Sequence, residues 1–128
     1  MKIIRSKDLS FVPASHEDPL NPGVLKKVLF NCKDIPAGKI QMINWALLAA
    51  GKQFKLHSHK DMSEIFIIIS GEAVLRIDEK ESTLLKGDAV FIPPQSMHQM
   101  RNVSHEDCLF LTLGIVAESE LTPTSKIR

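Results

Sequence analysis

Residues 51–71 read GKQFKLHSHKDMSEIFIIISG and place two histidines, His57 and His59, two positions apart. In a β-strand, residues at that spacing point to the same face, with their Cα atoms roughly 6.5 Å apart. Two such imidazoles can meet one metal ion at bonds of about 2.1 Å. Glu64 follows the polar turn Lys60–Ser63 and opens the next strand, so its carboxylate can reach the same point.

A second stretch, GDAVFIPPQSMHQMRN at residues 87–102, places His98 at the start of another strand. Three imidazoles and one carboxylate form a mixed nitrogen and oxygen ligand set, which suits divalent Fe, Mn, Ni, Cu, Co or Zn and does not suit Ca²⁺. The competing interpretation is that the His-x-His pair faces solvent and binds nothing. We predict one divalent transition metal as the cofactor, and the ligand types do not distinguish among these metals. The predicted ligands are His57, His59, Glu64 and His98.

Both stretches resemble the two sequence motifs of the cupin superfamily, and the chain is similar to a small single-domain microbial cupin. The first motif is matched at each fixed position by Gly51-x5-His57-x-His59-x4-Glu64-x6-Gly71. The second is similar, with one departure, in Gly87-x5-Pro93-x-Gln95-x2-His98-x3-Asn102. The resemblance implies a double-stranded β-helix, or jelly-roll barrel, in which the same three histidines and glutamate hold the metal.

The departure is Gln95, which stands where the family usually has glycine. Glycine at this position allows a turn with positive φ. Because Pro94 precedes it, we expect Gln95 to lie in a type I turn instead. Such a turn would shift His98 only slightly and would remove no ligand.

The residues outside the two motifs also predict an all-β chain. A length of 128 residues is typical of a single domain. Short runs rich in Val, Ile, Leu and Phe alternate with turn residues, which is typical of a sandwich or barrel. The predicted strands are Val24–Phe30, Gln41–Ala50, Gln53–His59, Glu64–Ser70, Glu72–Asp78, Glu81–Leu85, Ala89–Pro93, His98–Val103 and Leu109–Val116. We expect an N-terminal arm with the first strand or strands at 1–35, the barrel at 36–116 and a polar tail at 117–128.

The walls of a pocket around the metal follow from strand parity, because alternate residues share a face with each ligand. The residues predicted to line it are Phe66, Ile68, Met100 and Asn102. By the same parity Lys55 would lie beside His57, which makes it a weak candidate for binding an anion or for acid–base work. We favour a rim position for Lys55, with its ammonium in water. His16 and His105 are expected to be exposed.

Composition excludes several function classes. The net charge is +1 with acidic and basic residues nearly balanced, which argues against a nucleic-acid partner. The longest apolar run, Ile65–Ile69, is too short to span a membrane, and no signal-peptide pattern follows Met1–Arg5. We therefore expect a cytoplasmic protein in which Cys32 and Cys108 are buried free thiols.

A homodimer is expected for two reasons. A strand that is apolar on both faces, as Ile65–Ile69 is, needs cover on its outer side. A chain this short also leaves a large share of its surface exposed, so pairing with a second copy would bury more of it.

Three functions remain open at this stage, because fold alone does not choose among them. The first is a metal-dependent enzyme, dioxygenase-like, acting on a small oxygen-rich metabolite. The second is a module that binds or senses a small molecule through the metal without turnover. The third, a sugar-phosphate isomerase or epimerase, ranks last, because a phosphate would need several inward cations and only Lys55 is a candidate.

Overall fold

The computed structural model describes residues 2–35 and 38–116. Over these residues the chain forms β-strands and one short 3-10 helix, Ser6–Asp8. The strands are β1 (Val12–Pro13), β2 (Leu25–Asn31), β3 (Ile40–Leu48), β4 (Met62–Ser70), β5 (Ala73–Ile77), β6 (Lys80–Leu84), β7 (Ala89–Ile92), β8 (His98–Arg101) and β9 (Cys108–Val116). The all-β prediction is confirmed. In the described part of the chain, no helix has the length and apolar character needed to cross a bilayer.

The strands form two antiparallel sheets. One sheet has the order β1-β2-β3-β9-β4-β7 and the other has the order β6-β5-β8. From β3 onward only β5 and β6 are consecutive strands that pair, and the chain otherwise crosses between the sheets or skips a neighbour, as in the jelly roll that the sequence predicts. Buried side chains of both sheets form one core, in which Phe66 and Phe110 come from the large sheet and Leu75 and Met100 from the small one.

The core follows from strand alternation. In β4 the inward residues Phe66 and Ile68 are buried, while Ile65 and Ile67 on the outer face are half-buried. Strand β9 repeats this pattern, with Phe110 inward and its neighbours outward. The isoleucine run is therefore covered on one face within a single chain, and its outer face is only partly covered.

The predicted strand Gln53–His59 is wrong. This segment makes two isolated contacts with β8, at Gln53 with Arg101 and at His57 with His98. His57 follows Gln53 by four residues, whereas their partners His98 and Arg101 are three residues apart. The segment therefore contains one extra residue, which forms a bulge. The bulge turns Phe54 inward, where it is 2% exposed, and leaves Lys55 exposed.

Three further expectations can be compared with the structure. Gln95 has φ of 69°, so the expected type I turn is wrong and this glutamine adopts the backbone that glycine favours. Cys108 is buried as expected, whereas Cys32 is exposed, and both are free thiols. The predicted boundary between residues 35 and 36 and the predicted tail 117–128 lie outside the described residues.

Candidate metal centre

The two motif segments are joined by backbone hydrogen bonds at the site. The His57 amide donates to the His98 carbonyl at 3.1 Å, and the His98 amide donates back to the His57 carbonyl at 2.9 Å. The Gln95 amide donates to the His59 carbonyl at 2.6 Å. The positive φ of Gln95 thus belongs to a turn that fixes the His59 loop. Glu64 enters from β4 and completes the group.

The four predicted ligands converge. One donor atom from each of His57, His59, Glu64 and His98 lies within 4.8 Å of the others. Glu64 Oε1 is 2.8 Å from His59 Nε2 and 3.1 Å from His98 Nε2. Donors bound to one metal at about 2.1 Å stand roughly 3 to 4.2 Å apart, so the cluster needs little rearrangement. Glu64 and His98 are buried, with 5% and 1% of their surface exposed, and the other two histidines are half-buried.

The hydrogen bonds of the imidazoles suit metal binding. His57 Nδ1 is 2.6 Å from the Lys55 carbonyl, and His98 Nδ1 is 2.9 Å from the Ser96 carbonyl. A carbonyl only accepts, so each Nδ1 must carry a proton, and each Nε2 offers a lone pair to a metal when the ring is neutral. His59 Nε2 is buried and, despite its short approach to Glu64, is not aligned for a hydrogen bond. These three nitrogens are free to act as ligands.

The pKa shifts of His57 and Glu64 favour the protonation states that bind a metal at neutral pH, whereas the shift of His59 acts in the opposite direction. Burial lowers the pKa of His57 to about 4, so this imidazole is neutral. Burial acts to raise the pKa of Glu64, but interactions with His59 and His98 outweigh it and hold that pKa at about 2. The same interaction with Glu64 raises the pKa of His59. A cation bound at His59 would compete with the proton that this imidazole takes up as the pH falls.

Three members of the cluster, His57, His59 and Glu64, line a cavity of about 270 Å³. Apolar residues supply much of the lining, including Phe54, Phe66, Phe110, Met42 and Met62. Of the predicted pocket residues, the structure places Phe66 in the lining. Ile68 and Met100 are almost fully buried in the core behind it. The Asn102 amide donates to the Leu48 and Glu106 carbonyls, so its role is to fix the neighbouring loops.

Two cavity residues have no signal in the sequence. His16, expected to be exposed, instead stacks on His57, with ring centroids 3.8 Å apart and planes at 22°. Lys26 on β2 lines the same cavity, whereas Lys55 does not. Both reach the site from a part of the chain that lies outside the two motifs, and only the folded N-terminal segment brings them there. His105 is exposed as expected.

Comparisons with known proteins agree with this architecture. The cupin domain matches residues 44–114. The chain is 38% identical over 61 residues to quercetin 2,3-dioxygenase of Bacillus subtilis, covering 46% of this chain and 18% of that protein. It is 27% identical over 84 residues to an oxalate-binding protein of Thermotoga maritima, covering 66% of this chain and 69% of that protein.

A solved structure shows the same fold. A predicted oxalate decarboxylase of Thermotoga maritima superposes with a TM-score of 0.79 at 24% identity, covering 90% of this chain and 99% of that one. Its likeness extends over both sheets, whereas the domain match covers residues 44–114. The matched domain, the jelly-roll topology and the converging histidines agree, and the chain belongs to the cupin family.

Proposed function

We propose that this cupin holds one divalent transition metal on His57, His59, Glu64 and His98 and uses it to bind a small oxygen-rich metabolite. The observation that carries the proposal is the convergence of three imidazoles and an ionised carboxylate, three of which, His57, His59 and Glu64, line a small cavity. On a metal that takes five or six ligands, four protein ligands leave one or two coordination positions for a small molecule, and an open position is what a catalytic site needs. Fe, Mn, Ni, Cu, Co and Zn all suit the donors.

The residues of the chain prepare the cavity for such a ligand. When bound, the metal supplies Lewis-acid polarisation of an oxygen ligand and, where it is redox-active, a means to activate dioxygen. Phe54 and Phe66 exclude water beside the ligand atoms, and Lys26, Asn44 and Thr112 offer polar groups. The volume, about 270 Å³, is just below the range of roughly 300–1,000 Å³ that drug-sized molecules occupy, so the ligand is small.

A dioxygenase-like reaction is the first candidate activity. The likeness to quercetin 2,3-dioxygenase supports it. Metal-assisted binding without turnover is the second candidate, supported by the likeness to an oxalate-binding protein across most of that protein's length. The sugar-phosphate isomerase or epimerase ranks third, because the cavity lining of the described residues holds one lysine and no arginine.

Turnover separates the first two candidates. Protein loaded with Fe, Mn or Ni is mixed with a catechol, a diketone or a 2-oxo acid while dissolved oxygen and released carbon dioxide are followed. An enzyme consumes oxygen or releases carbon dioxide, and His98→Ala abolishes this while the exposed His105→Ala retains it. A binding module shows only a higher unfolding temperature with the ligand. Turnover that survives His98→Ala would contradict the assignment of the site.

We propose further that two copies of the chain associate through the outer face of the large sheet. Trp45, Leu111 and Ile67 are cross-strand neighbours there, and all three are half-buried. Phe91, which pairs with Ile65, is 56% exposed. A contiguous apolar sheet face of this kind is typical of an interface between copies.

A further inference from the structure

Lys26 is a cation in the cavity with no carboxylate partner. It belongs to β2 and pairs in register with the buried Ala46, so its side chain lies on the inner face of the sheet. Its ammonium donates to Ser15 Oγ at 3.0 Å. Among the described residues it forms no ion pair. Burial lowers the pKa of Lys26, as expected for an ammonium that has lost water and gained no counter-charge.

A second polar group of the cavity, His16, follows Ser15 along the chain. Ser15, which accepts from Lys26, precedes His16, and both residues line the cavity. His16 Nε2 is buried and has no hydrogen-bond partner, although Glu17 Oε2 lies 3.5 Å away. Buried polar atoms are normally paired, so an unpaired one that borders a cavity is available to a ligand.

The segment that carries these groups is held in place. One carboxylate oxygen of Glu17 accepts from the Gly23 amide, and the other accepts from the Lys55 amide at 2.9 Å. The stacking of His16 on His57 ties the same segment to the metal cluster. Lys26, Ser15 and His16 therefore form a fixed polar corner next to the metal ligands, which we call the Lys26 corner.

The charge balance of the cavity indicates what this corner binds. Glu64 is the one carboxylate in the lining formed by the described residues. A divalent cation on Glu64 leaves one net positive charge, and Lys26 adds a second. The cavity is thus complementary to a ligand with two anionic groups, one at the metal and one at the Lys26 corner.

We propose that the Lys26 corner is an anion subsite and that the ligand is a small molecule with two acidic groups, such as a dicarboxylate. This inference rests on the proposed metal function, because one of the two groups would occupy the metal. It identifies Lys26, rather than Lys55, as the residue that selects the charge of the ligand.

The test compares two ligands that differ by one charge. Metal-loaded protein is titrated calorimetrically with oxalate, malonate and succinate, and with the monomethyl ester of each. A charge-assisted hydrogen bond contributes enough for about a 10- to 100-fold difference in Kd, so the best diacid binds tighter than its ester by that factor. Lys26→Met loses the preference, Lys26→Arg keeps it, and the exposed Lys55→Met behaves as wild type.

Metal content and circular dichroism are measured for every variant, so that each failure can be assigned. If wild type holds metal but binds diacid and ester equally, or if a folded, metal-loaded Lys26→Met keeps the preference, the anion subsite is wrong and the metal function stands. If wild type holds no metal after reconstitution, both proposals fall. If Lys26→Met does not fold, the subsite is tested by the diacid and ester affinities of wild type and of Lys26→Arg. A loss of the diacid preference in Lys26→Arg then overturns the subsite.

Discussion

At the residue scale, the protonation of the ligands explains why the cluster is ready for a metal. His57 is neutral because burial disfavours its charge, and Glu64 is ionised because two imidazoles face it. These shifts also link the stability of the metal-free protein to pH. Between pH 6.5 and about 4 the unfolded chain protonates His57 and the folded chain does not, so the contribution of His57 is complete above pH 6.5 and is lost as the pH falls.

We therefore predict that the free energy of unfolding of metal-free protein decreases as the pH falls from 6.5 towards about 4. A further decrease follows between pH 4.5 and about 2, as the folded state loses the ionised Glu64. Urea denaturation at stepped pH measures both. His57→Gln should make the decrease in the upper window smaller, with His16, whose pKa burial also lowers, still contributing there, and should leave the lower window unchanged. A wild-type profile that is flat in the upper window would contradict the burial of a neutral His57.

The sequence predicts the group of four ligands because two short motifs fix their spacing, and it misses the residues whose positions depend on long-range contacts. Gln95 adopts positive φ because its amide donates to the His59 carbonyl, a contact between segments that local turn preference does not contain. Phe54 replaces Lys55 in the cavity because one bulged residue shifts the parity. His16 has no motif around it and is placed by Glu17 and His57.

At the scale of elements, alternation predicts eight of the nine observed strands to within a few residues and does not predict β1 (Val12–Pro13). The exception among the predicted strands is Gln53–His59, where apolar and polar residues alternate but the bulge prevents a regular ladder. The turn after β4 is also tightly specified. Gly71 has φ of +78°, and a Cβ there would collide with the Asp107 carbonyl and lie 2.9 Å from Cys108 Cα.

Gly71→Ala should accordingly destabilise the fold more than Gly87→Ala. Both glycines have positive φ, which costs an alanine about 1–2 kcal/mol, but a Cβ at Gly87 meets nothing within 4 Å. The collision at Gly71 adds about 1–3 kcal/mol, since backbone must move to relieve it. Chemical denaturation of the two variants measures the difference directly. Equal losses would show that β4 does not approach the Asp107–Cys108 backbone as described.

At the scale of the whole molecule, the apolar outer face of the large sheet is the proposed interface between two copies, and the oligomeric state tests it. Leu111 lies between Trp45 and Ile67 on that face, so a charge there would be buried in a dimer. We predict that wild type sediments as a dimer at micromolar concentration and that Leu111→Glu sediments as a monomer. Val103→Glu is the control, because Val103 is 71% exposed and lies outside the strands. A monomeric wild type would rule out the interface.

The sequence does not predict the shape and charge of the cavity. The motifs predict the metal site and the fold from residues 51–102, whereas the shape and charge of the cavity depend on His16 and Lys26, which fold back from outside them. No local pattern of the sequence contains those contacts, so the motifs alone do not predict which ligand the cavity would accept.

The central claim is that His57, His59, Glu64 and His98 bind a metal, and metal content tests it most directly. Protein is purified without an affinity metal column, reconstituted with each candidate divalent ion and analysed by inductively coupled plasma mass spectrometry. We predict near-stoichiometric metal in wild type and His105→Ala, and little in His57→Ala or His98→Ala. Wild type that takes up no metal, or a His105→Ala variant that loses it, would contradict the account.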